Sequence, residues 1–159
     1  MKHPIIDRVK EVVYNTFEVV CFLFPLDPWE AEEMEDQQLP SDVTRSMVTF
    51  DGAANGGMII ETSPSLLNAI AENMTGSEDA TADEKEAALC ELANIICGNT
   101  VPIFSNNNQI CSIHPPSILN SDKEIPTRFS QMEKESLKVF LDEGPVRLSL
   151  FYSNGQTYD

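Results

Sequence analysis

Glu91-Leu92-Ala93-Asn94-Ile95-Ile96-Cys97-Gly98-Asn99 sets a carboxylate and a carboxamide three residues apart in an otherwise apolar run. At about 100° per residue of α-helix, with Leu89 at zero, Leu92, Ala93 and Ile96 fall within roughly 60° of it, while Glu91, Asn94 and Gly98 gather near 140–200°. The apolar face must be covered by the rest of the protein, so the polar pair looks the other way. Residues at i and i+3 are neighbours on a helix surface, which stands Glu91 and Asn94 side by side. Ala87 and Gly98 bracket the pair one turn before and one turn after. The ridge between them is low, and another macromolecule's backbone can approach it closely.

The flanks say where this helix starts and stops. Thr81-Ala82-Asp83-Glu84 is a capping-box pattern and predicts a helix starting near Asp83. Pro102 cannot donate to the carbonyl of Gly98 and its ring crowds that turn, so the helix should stop or kink between Gly98 and Val101. Upstream, Ser63-Pro64 supplies an N-cap and a first-turn proline, Leu66, Leu67, Ile70, Ala71 and Met74 give an apolar face, and Gly76 closes a short helix. Pro4 to about Val20 reads as an amphipathic helix through Ile5, Ile6, Val9, Val12, Val13, Thr16, Phe17 and Val20, and should cover a sheet.

Between these helices the period changes. Arg45–Phe50 and Gly57–Glu61 read as strands joined by a glycine-rich turn at Asp51-Gly52-Ala53-Ala54-Asn55-Gly56-Gly57, which matches no phosphate-cradling pattern. Asp27–Asp42 is acidic, with two prolines and Trp29, and reads as a surface loop or as a loop holding a short edge strand. After the motif come a short apolar run at Ile110–Ile113, a break at Pro115-Pro116 and a polar connection through Lys123. Ser136–Leu141 and Val146–Tyr152, joined by an acidic turn, form a hairpin, and the residues from Ser153 on read as a frayed tail. Strands and helices are segregated along the chain, which predicts an α+β fold with an antiparallel sheet layered with helices.

Composition bounds the function. A chain of 159 residues, 42% of them hydrophobic, is the size of one domain, 1–159. The net charge of −16 argues against nucleic acid, whose phosphates such a surface repels. Val19–Leu26, the longest apolar run, is far shorter than the ~20 residues that cross a bilayer. With no signal-peptide h-region either, the expectation is a cytoplasmic protein without membrane insertion. Cys21, Cys90, Cys97 and Cys111 form no CxxC and the only histidines are His3 and His114, so the thiols are expected to be reduced, with no metal site. Asn99, near 280° on the same wheel, is expected to face inward and make a structural hydrogen bond. On their own, Glu91 and Asn94 also fit an ordinary solvated helix surface.

The motif and its setting together resemble a known family. Glu91-x-x-Asn94 with the trailing Gly98-Asn99 is similar to the signature of the CheC/CheX/FliY chemotaxis phosphatases, and a single motif after one short helix resembles the CheX branch. The order of the other elements follows the same pattern over nearly the whole chain. The resemblance implies a CheC/CheX-like fold and a phosphatase that hydrolyses the aspartyl-phosphate of a CheY-like receiver domain in two-component signalling. It further implies that Asn94 orients the attacking water, that Glu91 pairs with the receiver's lysine, and that Mg2+ comes from the receiver, with no cofactor in this chain. Ala87 and Gly98 then belong to the partner-binding ridge. CheX-like proteins are homodimers, which implies the same here. The alternative is a non-catalytic adaptor that docks a receiver or a sister subunit through the same helix.

Overall fold

The computed structural model of the protein describes residues 5–34, 39–105 and 109–154. Among these, α1 (Ile5–Cys21) and α2 (Pro28–Met34) precede the hairpin β1 (Thr44–Gly52) and β2 (Ala54–Thr62), which is followed by α3 (Pro64–Thr75) and α4 (Ala82–Thr100). A 3-10 turn at Val101–Phe104 continues α4, and β3 (Cys111–Ile113), β4 (Ser117–Ile118), β5 (Glu133–Leu141) and β6 (Gly144–Asn154) complete the sheet. The strand order is β3-β1-β2-β6-β5, with β4 also beside β1, and every pairing is antiparallel. The α+β architecture expected from the sequence is the one observed.

Alternation along the strands divides the sheet into two faces. Val48, Phe50, Met58, Ile60, Leu137, Val139, Val146, Leu148 and Leu150 are buried in one core cluster with Val9, Val13 and Phe17 of α1, Leu66 and Ile70 of α3, and Leu89, Leu92 and Ile96 of α4. α4 packs on β1 and β2, α1 on β5, and α3 against both helices. The opposite face is crossed by the chain running from β4 to β5. Leu119 and Phe129 of this connection are buried, Phe129 stacks on Phe151 at 4.7 Å between ring centroids, and Arg45 pairs with Asp122 at 2.6 Å.

Several sequence expectations change against this architecture. The stretch 27–42 holds the short helix α2: Pro28 opens it, the Asp27 N–H donates to Glu30 Oε1 at 3.3 Å, and the Ala31 N–H donates to the Asp27 carbonyl. None of its residues is buried, so no apolar period marks it. The glycine-rich turn is confined to Gly52–Ala53, and Asn55, Gly56 and Gly57 belong to β2, where Gly56 and Gly57 pair with both β1 and β6 and Asn55 pairs with β6. Gly57 is there for room, since a Cβ would lie 2.5 Å from Phe129 Cζ. Ser153 and Asn154 pair with β2 as the end of β6, so any frayed tail lies outside the described residues.

The segment Ala82–Phe104 reaches a mean hydropathy of 1.4 and is long enough to cross a bilayer by length and composition. This qualifies the expectation drawn from Val19–Leu26. The stretch is a core helix here, with Leu89, Leu92, Ala93, Ile96 and Cys97 at 1% exposure or less.

Candidate functional site

α4 is fixed at both ends by local chemistry. Thr81 accepts from the Glu84 N–H at 3.2 Å while the Thr81 N–H donates to Glu84 Oε1 at 3.0 Å, completing the predicted capping box. At the other end the α-helix persists through Gly98 to Thr100 before tightening at Val101–Phe104. Phe104 stacks on Phe50 at 5.8 Å and lies 5.1 Å from Tyr152, which ties the end of the helix to the sheet. Proline therefore stops the α-helix beyond the motif and leaves Glu91 and Asn94 within a regular helix.

Around this rigid rod the predicted faces separate cleanly. Ala88, Leu89, Leu92, Ala93, Ile96 and Cys97 are buried. Ala87 and Glu91 are exposed, and Asn94 and Gly98 are partly exposed. Among the described residues neither the Glu91 carboxylate nor the Asn94 carboxamide has a hydrogen-bond or ion-pair partner. A Cβ added at Gly98 would meet only Ile113 Cδ1, at 3.9 Å, so no contact inside the fold calls for glycine there. A bare ridge with two unengaged polar side chains is suited to insertion into a partner's pocket.

Asn99 is exposed, contrary to the inward placement expected for it. Ala88 on the same flank is buried, Ile95 is partly buried and Asn99 is open, so cover on that flank fades toward the C-terminus. A helical wheel carries angle but no information on how far a neighbouring element reaches.

The remaining polar groups offer weaker chemistry. His114 Nε2 lies 2.9 Å from Asp51 Oδ2, both about half exposed, on the sheet face away from α4. Ser153 lines the same hollow of about 510 Å3, but no hydrogen bond links it to His114, so no nucleophile completes a triad. No group of three or more His, Cys, Asp or Glu that could hold a metal ion occurs among the described residues. The four cysteines are free thiols. Burial pushes Cys97 up to about 12, with a smaller contribution from neighbouring Cys111, and burial does the same to Cys21.

The family profile described as "Chemotaxis phosphatase CheX" matches residues 45–137, from β1 to the middle of β5 and including all of α4. The chain belongs to the CheX family. Solved structures agree on the fold of the family. A chain of the CheX-CheY-BeF3-Mg complex from Borrelia burgdorferi is 18% identical, with a TM-score of 0.66 and cover of 95% of this chain and 99% of that one. CheX from Vibrio vulnificus is 15% identical at a TM-score of 0.70, covering 95% and 97%. CheX from Desulfovibrio desulfuricans is 13% identical at 0.70, covering 94% and 99%. No curated protein matches the chain.

Proposed function

We propose that this CheX-family protein hydrolyses the aspartyl-phosphate of a CheY-like receiver domain, using Asn94 and Glu91 on the exposed ridge of α4. The observation that carries this reading is the pair itself: two polar side chains on one helix face, free of partners among the described residues, inside the segment that matches a phosphatase family. Hydrolysis of an acyl phosphate depends on placing a water in line with the leaving carboxylate and on stabilising charge. Water oxygen bonds to phosphorus, the bond from phosphorus to the aspartyl oxygen breaks, and inorganic phosphate and the free aspartate result. Asn94 suits the placement because a carboxamide both accepts from and donates to a water and brings no negative charge toward the phosphoryl oxygens. Glu91, one turn back on the same face, holds the register by pairing with a cation of the receiver, for which a lysine in the phosphorylation site is the natural candidate.

Magnesium in this scheme belongs to the receiver, in keeping with the Borrelia complex, which contains CheX, CheY, beryllofluoride and magnesium. Family membership and that complex support a role in receiver signalling, and the reading extends to a cytoplasmic location and a homodimer joined through a sheet edge. β5 ends the sheet, and among the described residues the backbone of Phe24–Leu26 pairs with its last residues, around Phe140 to Asp142.

The experiment is a dephosphorylation time course of phosphorylated CheY-like receivers from the source organism. Wild type accelerates loss of phosphate and Asn94→Ala does not, while both bind the receiver. Equal rates with and without wild type, with binding retained, would establish the adaptor instead.

A further inference from the structure

We propose that the hollow lined by Thr49, Asp51, Asn55, His114, Arg128 and Ser153, on the sheet face away from α4, is a binding site for inorganic phosphate. The inference is independent of the receiver reading of α4 and concerns residues that reading does not use.

The sheet register brings these side chains together. Residues paired across antiparallel strands share a face, so Asn55 of β2 stands beside Ser153 of β6. Thr49 and Asp51 flank Phe50, which is buried on the core side, and therefore project to the opposite face. His114 follows β3, where its N–H donates to the Thr49 carbonyl at 2.8 Å, and Arg128 arrives from the connection between β4 and β5. The hollow they enclose measures about 510 Å3, which holds a small hydrated anion.

Most of its lining donates. Among the described residues the Arg128 guanidinium pairs with no carboxylate; it lies 5.6 Å from the centroid of the Phe129 ring. Asn55 Oδ1 accepts the Gly52 N–H at 3.3 Å, which leaves the amide nitrogen of Asn55 to donate outward. The hydroxyls of Thr49 and Ser153 have no hydrogen-bond partner among the described residues.

Asp51 is the exception, and it selects the anion. Its Oδ2 lies 2.9 Å from His114 Nε2, and because a carboxylate only accepts, Nε2 carries the hydrogen. Oδ1 has no partner among the described residues. A fully deprotonated oxyanion is repelled at that oxygen, whereas inorganic phosphate near neutral pH keeps a P–OH that donates to it. Sulfate has no hydrogen to give. A phosphomonoester, with a second pKa of about 6, has lost most of its own at pH 7. Donors on several sides facing one acceptor therefore match inorganic phosphate among the common tetrahedral anions.

The test is calorimetric titration of the whole protein at pH 7 and constant ionic strength with sodium phosphate, sodium sulfate and O-phosphoserine, together with amide shifts in NMR spectra. Phosphate is expected to bind at least tenfold more tightly than either other anion, the scale of one charge-assisted hydrogen bond, and to shift the amides of Asp51, Asn55 and Arg128 but not those of α4. Arg128→Gln should raise the Kd for phosphate about tenfold or more. Asp51→Asn puts an amide where only an acceptor stood, so phosphate and sulfate should then bind within about threefold of each other. No heat with phosphate, equal affinity of wild type for all three anions, shifts confined to α4, or variants that titrate like wild type would each overturn the proposal. The wild-type comparison needs no substitution, so a variant that failed to fold would leave it decisive.

Discussion

At the scale of single residues, the proposed reaction gives Asn94 the placement of the water and Glu91 the register of docking, so their substitutions should separate accordingly. Asn94→Ala is expected to lower the dephosphorylation rate at saturating receiver by about 100-fold, a typical loss for a group that positions a reacting water. Glu91→Ala should act mainly through Kd, weakening a charge-assisted contact by roughly tenfold. Stopped-flow rates and equilibrium titration of the same variants read the two effects. Gly98 gives a complementary test. The fold tolerates a methyl there, the nearest atom being Ile113 Cδ1 at 3.9 Å, so Gly98→Ala should melt at or above the wild-type temperature. Gly98→Trp should block docking through the bulk it adds to the ridge. The cysteines were legible as reduced thiols from their spacing, but which of them are buried needed the fold. Cys21 and Cys97, buried and pushed up to about 12, stay protonated at pH 8, so iodoacetamide should label the partly exposed Cys90 and Cys111 first, as mass spectrometry of the folded protein would show.

At the scale of elements, α4 is the best-specified part of the chain. Its capping box was written in four consecutive residues, and the same residues form both bonds in the structure. Thr81→Ala should cost about 1 kcal/mol of stability, measured by urea denaturation. Hydrogen bonds from the Thr81 backbone and then its hydroxyl hold the Glu84 carboxyl below its ordinary range. A depressed carboxyl stabilises the fold above its unfolded pKa of about 4.3. That contribution is lost as pH falls through the lower folded value. The difference in melting temperature between wild type and Glu84→Gln should therefore narrow in acid and be constant from neutral pH to weakly acidic conditions. α3 was equally legible, from Ser63-Pro64 at its start to Gly76, whose φ of 76° places it in the left-handed cap. α2 escaped notice because helix propensity without a buried face leaves no periodicity in the sequence.

At the scale of the whole molecule, the connection from β4 to β5 crosses the sheet face opposite α4 and closes the second side of the sheet. Phe129 is its anchor, 2% exposed, stacked on Phe151 and seated over Gly57. Phe129→Ala should destabilise the protein by about 3 kcal/mol, and Gly57→Ala by about 1–3 kcal/mol through overpacking, both visible in thermal melts. Neither substitution touches α4, so receiver binding by the folded fraction should be unchanged. Sedimentation velocity reports whether two copies join. What the sequence by itself determined was local: where α3 and α4 begin and end, the alternation of β6, and which α4 residues share the face away from the core. Each of these depends on residues within about one turn or one strand pair of each other. The tertiary structure alone decided that Gly56 and Gly57 lie in a strand, that Asn99 is open to solvent and that Phe104 pins the end of the motif helix. Those outcomes turn on which distant segment arrives beside a residue, and a glycine that makes a turn looks the same in sequence as one that makes room for a neighbour.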